Sequence, residues 1–156
     1  MRDEQILARL DELGLALPPP PAAIAAYVPC VVREGMAWVA GQVPMADGKP
    51  APIGRLGDGV TVADGADGAR RAALQALAVL RDALGSFDRL DRIVQVSVFV
   101  AATADFVEHP TVANGASELL VDVLGEAGRH ARVAVGATSL PLGAAVEVAV
   151  TAALTP

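Results

Sequence analysis

Arg132 and Glu147 are the two charged side chains whose setting invites chemistry. Arg132 opens the run Arg132-Val133-Ala134-Val135-Gly136-Ala137, and Glu147 interrupts Val146-Glu147-Val148-Ala149-Val150. An ion taken from water without a partner is costly, so each must pair, face solvent or meet a ligand. A guanidinium offers a planar fork that grips a carboxylate through two parallel hydrogen bonds. A carboxylate in a partly desolvated cleft has a raised pKa and serves as a base nearer neutrality. The same residues also suit a plainer arrangement, in which Arg132 pairs with Glu147 or snorkels from a strand edge. Residue types alone favour that arrangement, because structural ion pairs are the commoner cause of such placements. The register between the two strands, and hence the distance between the charges, is not readable at this level.

The elements that carry these residues follow from periodicity. Val133 and Val135 alternate with Arg132 and Ala134, and Val146, Val148 and Val150 alternate with Glu147, so both segments read as strands. Pro141 and Gly143 mark the turn between them. Upstream, Ile6, Leu7, Leu10 and Leu13 predict an amphipathic helix over 3–13, stopped by Gly14. Pro18 to Pro21 impose an extended connector over 14–23. Val28–Arg33 and Met36–Ala40 read as strands of a hairpin turning at Glu34-Gly35. Met45–Gly59, rich in Gly, Pro and Asp, reads as a surface loop.

A first long helix is expected over 64–84, with Ala66, Ala69, Ala73, Leu77, Leu80 and Leu84 on one stripe, Leu74 beside it, Asp64 or Asp67 capping its start and Gly85 ending it. A strand over 93–100 puts Val94, Val96, Val98 and Val100 on one face and Gln95 and Ser97 on the other. A second long helix over 111–124 turns Val112, Ala116, Leu119, Leu120 and Val123 inward and ends at Gly125 and Gly128. The order is ββαβαββ after an N-terminal helix. That is the α+β class: one sheet, two long helices on one face, and rows of Val and Ala on the other.

At 156 residues the chain suffices for one core and not two, so a single domain over 1–156 is expected. It is 53% hydrophobic but only 3% aromatic, so Ala, Val and Leu must fill the core, and association would add burial. The net charge of −6, with no basic cluster beyond Arg70-Arg71, argues against nucleic-acid binding. Cys30 stands alone, which excludes an intrachain disulfide, and it reads as a small buried hydrophobe. No apolar run reaches membrane-span length and no secretory apolar segment opens the chain, so a soluble cytoplasmic protein is expected. No metal-ligand or Ser-His-Asp spacing stands out. His130 lies two before Arg132 and could reach the same site, but next to Arg129 its plainer reading is as an exposed residue; His109 reads as a loop residue.

Five segments in order resemble the RidA (YjgF/YER057c/UK114) family. Ala22-Ala23-Ile24-Ala25-Ala26-Tyr27 looks like its PAAIGPY segment, and Ala40-Gly41-Gln42-Val43-Pro44 like its SGQIP. Val94–Val100 looks like its central strand, Asn114 matches the Asn that opens its second helix, and Arg132 with Leu140-Pro141 and Glu147 matches its signature. The likeness spans roughly residues 20 to 154. The N-terminal helix exceeds what compact members carry there, which marks a longer subgroup.

The resemblance implies the chorismate-mutase-like fold, a homotrimer with clefts between neighbouring subunits, and no cofactor. It implies an enamine/imine deaminase acting on 2-aminoacrylate-type intermediates. Arg132 would hold the substrate carboxylate, and Glu147 would position or deprotonate water at the imine carbon. Tyr27 would close the pocket, with Gly41, Asn114 and Ala134 contacting substrate. Each has a plainer reading: Tyr27 as an amphipathic sheet-edge side chain, Gly41 as a turn glycine, Asn114 as a locally bonded first-turn residue.

Departures from the pattern are Ala40 for a small hydroxyl residue, Ala134 for a cysteine, and Gly115, Ala116 and Ser117 for aromatics after the Asn. They imply a reshaped pocket. The alternative to catalysis is a binding or sensor protein for a small carboxylate metabolite. Ribonuclease activity, attached to some family names, sits poorly with the acidic charge and the lack of a basic groove with stacking aromatics.

Overall fold

Two dipeptides with a glycine in second place set the first turns. Glu34 (φ 49°) and Gly35 (φ 75°) are both left-handed, as a two-residue type I′ turn requires, and they join β1 (Cys30–Arg33) to β2 (Met36–Gln42). Asp47 (φ 51°) and Gly48 (φ 75°) repeat the device between β3 (Met45–Ala46) and β4 (Lys49–Pro50). A short parallel ladder follows, β5 (Arg55–Leu56) with β6 (Gly59–Val60). The expected loop over 45–59 is therefore two small ladders; its turn residues close strands rather than interrupt them. The computed structural model describes residues 2–22 and 25–156, so Ala23 and Ile24 of the Ala22–Tyr27 segment and the end of the connector lie outside the described residues.

The remaining elements are α1 (Arg2–Glu12), α2 (Val62–Leu84), β7 (Leu90–Ala101), α3 (His109–Leu124), β8 (Ala131–Ala137) and β9 (Val146–Leu154). Five strands form one sheet in the order β1-β2-β9-β7-β8, with β7 and β8 parallel and the other pairs antiparallel. Helices α2 and α3 pack against each other and cover one face, which gives the expected α+β architecture. Their close approach rests on Gly115, where a Cβ would strike the Ala66 carbonyl.

Helix α2 begins earlier than its periodicity indicates. Thr61, not Asp64 or Asp67, is the cap, its Oγ1 accepting the Asp64 N–H at 3.1 Å. Gly85, left-handed at φ 78°, ends it as expected. Burial is wider than a single stripe: Gly68, Ala72, Gln75, Ala76, Ala78 and Val79 are buried as well, because the helix meets the sheet on one side and α3 on the other. α3 starts two residues early, with Pro110 in its first turn, where a missing N–H costs nothing.

β7 departs from the simple alternation. Register shifts between Leu90 and Arg92 and between Ile93 and Gln95 make Ile93 the inward residue, and Val94 is 38% exposed. From Val96 onward the alternation holds: Val96, Val98 and Val100 are buried under the helices. The opposite face is uncovered in one copy of the chain. It displays Val31, Trp38, Val133 and Val135, each 45–49% exposed, around Phe99.

α1 docks on its own chain. Ile6 and Leu10 are buried, and Leu7 and Leu13 pack partly buried against the same core. Asp3 fixes its start. Its carboxylate receives Arg81 Nε at 2.9 Å and NH2 at 2.8 Å, and also the Phe87 N–H at 2.9 Å.

Candidate functional site

The two charged residues do not meet. Arg132 is paired in register with the buried Val96, so it points to the helix-covered face. Glu147 is paired with Phe99, which is paired in turn with Val135, so it points to the uncovered face. Strands β8 and β9 are separated by β7. Two strand spacings and three residues along the strand put the Cα atoms roughly 14 Å apart, on opposite sides of the sheet. The expected structural ion pair is thereby excluded, and so is joint action of both residues on one small molecule within a single copy.

Arg132 sits in a polar notch between β8 and α3. Its NH1 donates to Asn114 Oδ1 at 2.8 Å and to Ser117 Oγ at 3.2 Å. Asn114 and Ser117 are three apart on α3, so helical spacing puts both side chains over the strand. Asn114 is exposed and spends its carbonyl oxygen on Arg132 rather than on a local backbone group. Ala134 lies one pleat further along the same face, half-buried. Among the described residues no carboxylate lies within ion-pair distance of Arg132.

His130 belongs to this notch and is half-buried rather than exposed. Its Nδ1 lies 2.6 Å from the Gly128 carbonyl oxygen and its Nε2 2.9 Å from Ser117 Oγ. Burial lowers its pKa, and the charge of Arg132 works in the same direction, while the Gly128 bond opposes them. Ser117 was not among the residues expected here, and exposure was the plainer expectation for His130. Their signal was present in the three-residue step from Asn114 to Ser117 and the two-residue step from His130 to Arg132.

Glu147 faces a second notch. Its carboxylate lies directly over Gly41, where an added Cβ would collide with Oε1. A register shift between Val39 and Gln42 bulges β2 at this point and bares Gly41. The plain turn-glycine reading is thus replaced by one of close approach. Burial raises the Glu147 pKa, and no hydrogen-bond partner offsets this among the described residues. Gly41 also lines a cleft of about 280 Å³ with Tyr27, Pro29, Gln42 and Leu142. Tyr27 is 54% exposed there. Gln75 of α2 holds the wall in place, its Oε1 accepting the Met45 N–H and its Nε2 donating to the Val43 carbonyl, both at 2.8 Å.

The six expected residues therefore form two groups, Arg132, Asn114 and Ala134 on one side and Tyr27, Gly41 and Glu147 on the other. Cys30 lies outside both, partly buried against the core, and burial pushes its thiol pKa up, against a nucleophilic role. Among the described residues no group of three or more His, Cys, Asp or Glu side chains is placed to hold a metal. No helix among them is long and apolar enough to cross a membrane.

Comparison with known proteins bears on the family and the fold. The family profile described as "YjgF/chorismate mutase-like, putative endoribonuclease" matches residues 7–154. Protein TCP17 of Trypanosoma cruzi is 44% identical over 145 residues, 92% of this chain and 91% of the relative. The crystal structure of protein Atu1372 from Agrobacterium tumefaciens superposes with a TM-score of 0.92 at 41% identity, covering 99% of this chain and 95% of that one. A "putative endoribonuclease" from Shewanella oneidensis gives 0.92 at 34% identity, covering 96% and 99%. Coverage of 99% takes in the N-terminal helix, as expected of a longer subgroup. The chain belongs to the YjgF/chorismate-mutase-like family.

Proposed function

We propose that this protein is an enamine/imine deaminase that hydrolyses 2-aminoacrylate-type intermediates to 2-keto acids and ammonia, in clefts between the subunits of a homotrimer. One observation carries the reading: among the described residues the guanidinium of Arg132 is anchored only by neutral acceptors, Asn114 and Ser117. Its charge is uncompensated and its orientation is set, which suits it to grip a substrate carboxylate.

Glu147 supplies the second function. Burial displaces its pKa upward, towards that of a useful general base. Its carboxylate takes a proton from water as the oxygen bonds to the imine carbon. Returning that proton to nitrogen gives a neutral carbinolamine. The carboxylate then takes the hydroxyl proton and passes it to the amine as the C–N bond breaks, so the C=O forms and ammonia leaves a 2-keto acid. The substrate is already activated, so positioning and a preset field suffice. Since Arg132 and Glu147 face opposite sides of one sheet, the Glu147 group of one copy must close over the Arg132 group of the next. The exposed apolar row of Val31, Trp38, Val133 and Val135 supports such association. A ring closed on a threefold axis satisfies every subunit equally.

The test adds freshly generated iminopyruvate with and without the protein and follows ammonia release. Acceleration by wild type and none by Arg132→Ala or Arg132→Lys is expected. Two charge-assisted hydrogen bonds at roughly 1.5–3 kcal/mol each make the loss of keto-acid affinity at least about a hundredfold. Unchanged decay with wild type overturns the deaminase reading. It would leave the binding-protein alternative, which the isolation of the Arg132 group within one copy favours. A monomeric mass by light scattering would overturn the shared cleft.

A further inference from the structure

We propose that Ser117 and His130 are positioning residues which, with Asn114, lock the Arg132 guanidinium so that it receives a carboxylate on its Nε–NH2 edge. This rests on the carboxylate-binding reading of Arg132 and specifies how that binding is arranged.

The NH1 nitrogen of a guanidinium carries two hydrogens. One is directed to Asn114 Oδ1 and the other to Ser117 Oγ. NH1 is therefore saturated, and a ligand cannot use the NH1–NH2 end of the fork without breaking one of these bonds. The edge that keeps two parallel donors is the one formed by Nε–H and NH2.

His130 decides which way the Ser117 hydroxyl points. A backbone carbonyl only accepts, so the 2.6 Å contact with Gly128 puts the hydrogen of the neutral ring on Nδ1. Nε2 is then left with its lone pair, 2.9 Å from Ser117 Oγ, and takes the single hydroxyl hydrogen. The serine oxygen consequently turns lone pairs towards Arg132. The chain runs from the Arg132 NH1 hydrogen to Ser117 Oγ, and from the Ser117 hydrogen to His130 Nε2. The His130 Nδ1 hydrogen then goes to the Gly128 carbonyl. Every member is neutral except Arg132, so the guanidinium is held without being neutralised. An aspartate in place of Ser117 would hold it equally well but cancel the charge the ligand needs.

The test uses 2-oxobutyrate as probe on the intact wild-type oligomer. Side-chain ¹⁵N spectra identify the Arg132 Nε–H by its disappearance in Arg132→Lys. On titration that signal should shift downfield, and its exchange with water should slow. Ser117→Ala and His130→Phe should each weaken 2-oxobutyrate binding on the order of tenfold, the worth of one net hydrogen bond. Melting temperatures should stay near wild type, and Ser117→Thr, which keeps the hydroxyl, should restore affinity. Wild type that binds no 2-oxobutyrate removes the carboxylate reading and this one with it. Wild type that binds, with an unmoved Nε–H or with undiminished affinity in Ser117→Ala, overturns the positioning roles alone. If His130→Phe fails to fold, Ser117→Ala, which deletes one partly exposed oxygen, still decides.

Discussion

Gly41→Ala separates the placement of Glu147 from its presence. Gly41 is not among the glycines with positive φ, so alanine adopts its backbone without strain. The added methyl group would overlap Glu147 Oε1. Restoring ordinary van der Waals separation requires the carboxylate to retreat by about 1 Å. It can do so, because it is the end of a flexible, half-buried side chain with no hydrogen bond holding it among the described residues. The fold should be nearly indifferent: replacing glycine by alanine at a compatible site gains about 0.4–1 kcal/mol through the unfolded chain, which offsets the local crowding. Catalysis should not be indifferent, since a misplacement of about 1 Å can cost about a hundredfold. The assay is kcat/KM for imine hydrolysis alongside the melting temperature. A Gly41→Ala protein that melts with wild type and turns over within twofold of it would refute the placement of Glu147 at the reacting atom.

Three further outcomes follow. Mixing unfolded Arg132→Ala and Glu147→Ala chains in equal amounts and refolding them should restore about one quarter of wild-type activity, because each cleft of a ring draws its two groups from different chains; no recovery would place both groups in one chain. Glu147→Gln should melt higher than wild type at neutral pH and alike near pH 4. Its raised folded pKa favours the neutral acid, so the stability of that form is full below the unfolded pKa and is lost as pH rises through the folded value. Asp3→Asn should melt lower than wild type at pH 7, with the gap closing on acidification. Arg81 holds the Asp3 pKa below its ordinary value, so the stability it adds is present above the unfolded pKa and is lost as pH falls through the folded one.

Local chemistry was legible where a turn or a cap depends on one residue type. Glu34-Gly35 and Gly85 announce a hairpin and a helix end in the sequence, and the structure has both. Asp47-Gly48 carries the same signal, obscured by the glycines and prolines around it. What alternation does not disclose is which face looks inward. In β9 the valines face the helices, but in β8 they face the uncovered side while Arg132 and Ala134 turn under α3. Both strands have the same apolar period, and only strand order decides between them. The pairing of Arg132 with Glu147 was therefore open from sequence and closed by topology. His130 and Ser117 were passed over for a related reason: the steps from Asn114 to Ser117 and from His130 to Arg132 are in the sequence, but only the packing of α3 beside β8 brings the two pairs together.

Strand order has one more consequence, for synthesis. β9, the last strand of the sheet in chain order, lies between β2 and β7, with Met36 paired to Ala153 and Val100 to Val146. Until β9 has left the ribosome, β2 and β7 have no common neighbour, and the helices have only half a sheet to cover. Folding during translation can prepare the first hairpin and the α2–α3 pair, but closure waits for residues 146–154. A chain cut before Val146 would lose the centre of its sheet rather than an edge, leaving two unpaired strand borders and a bared core prone to aggregation.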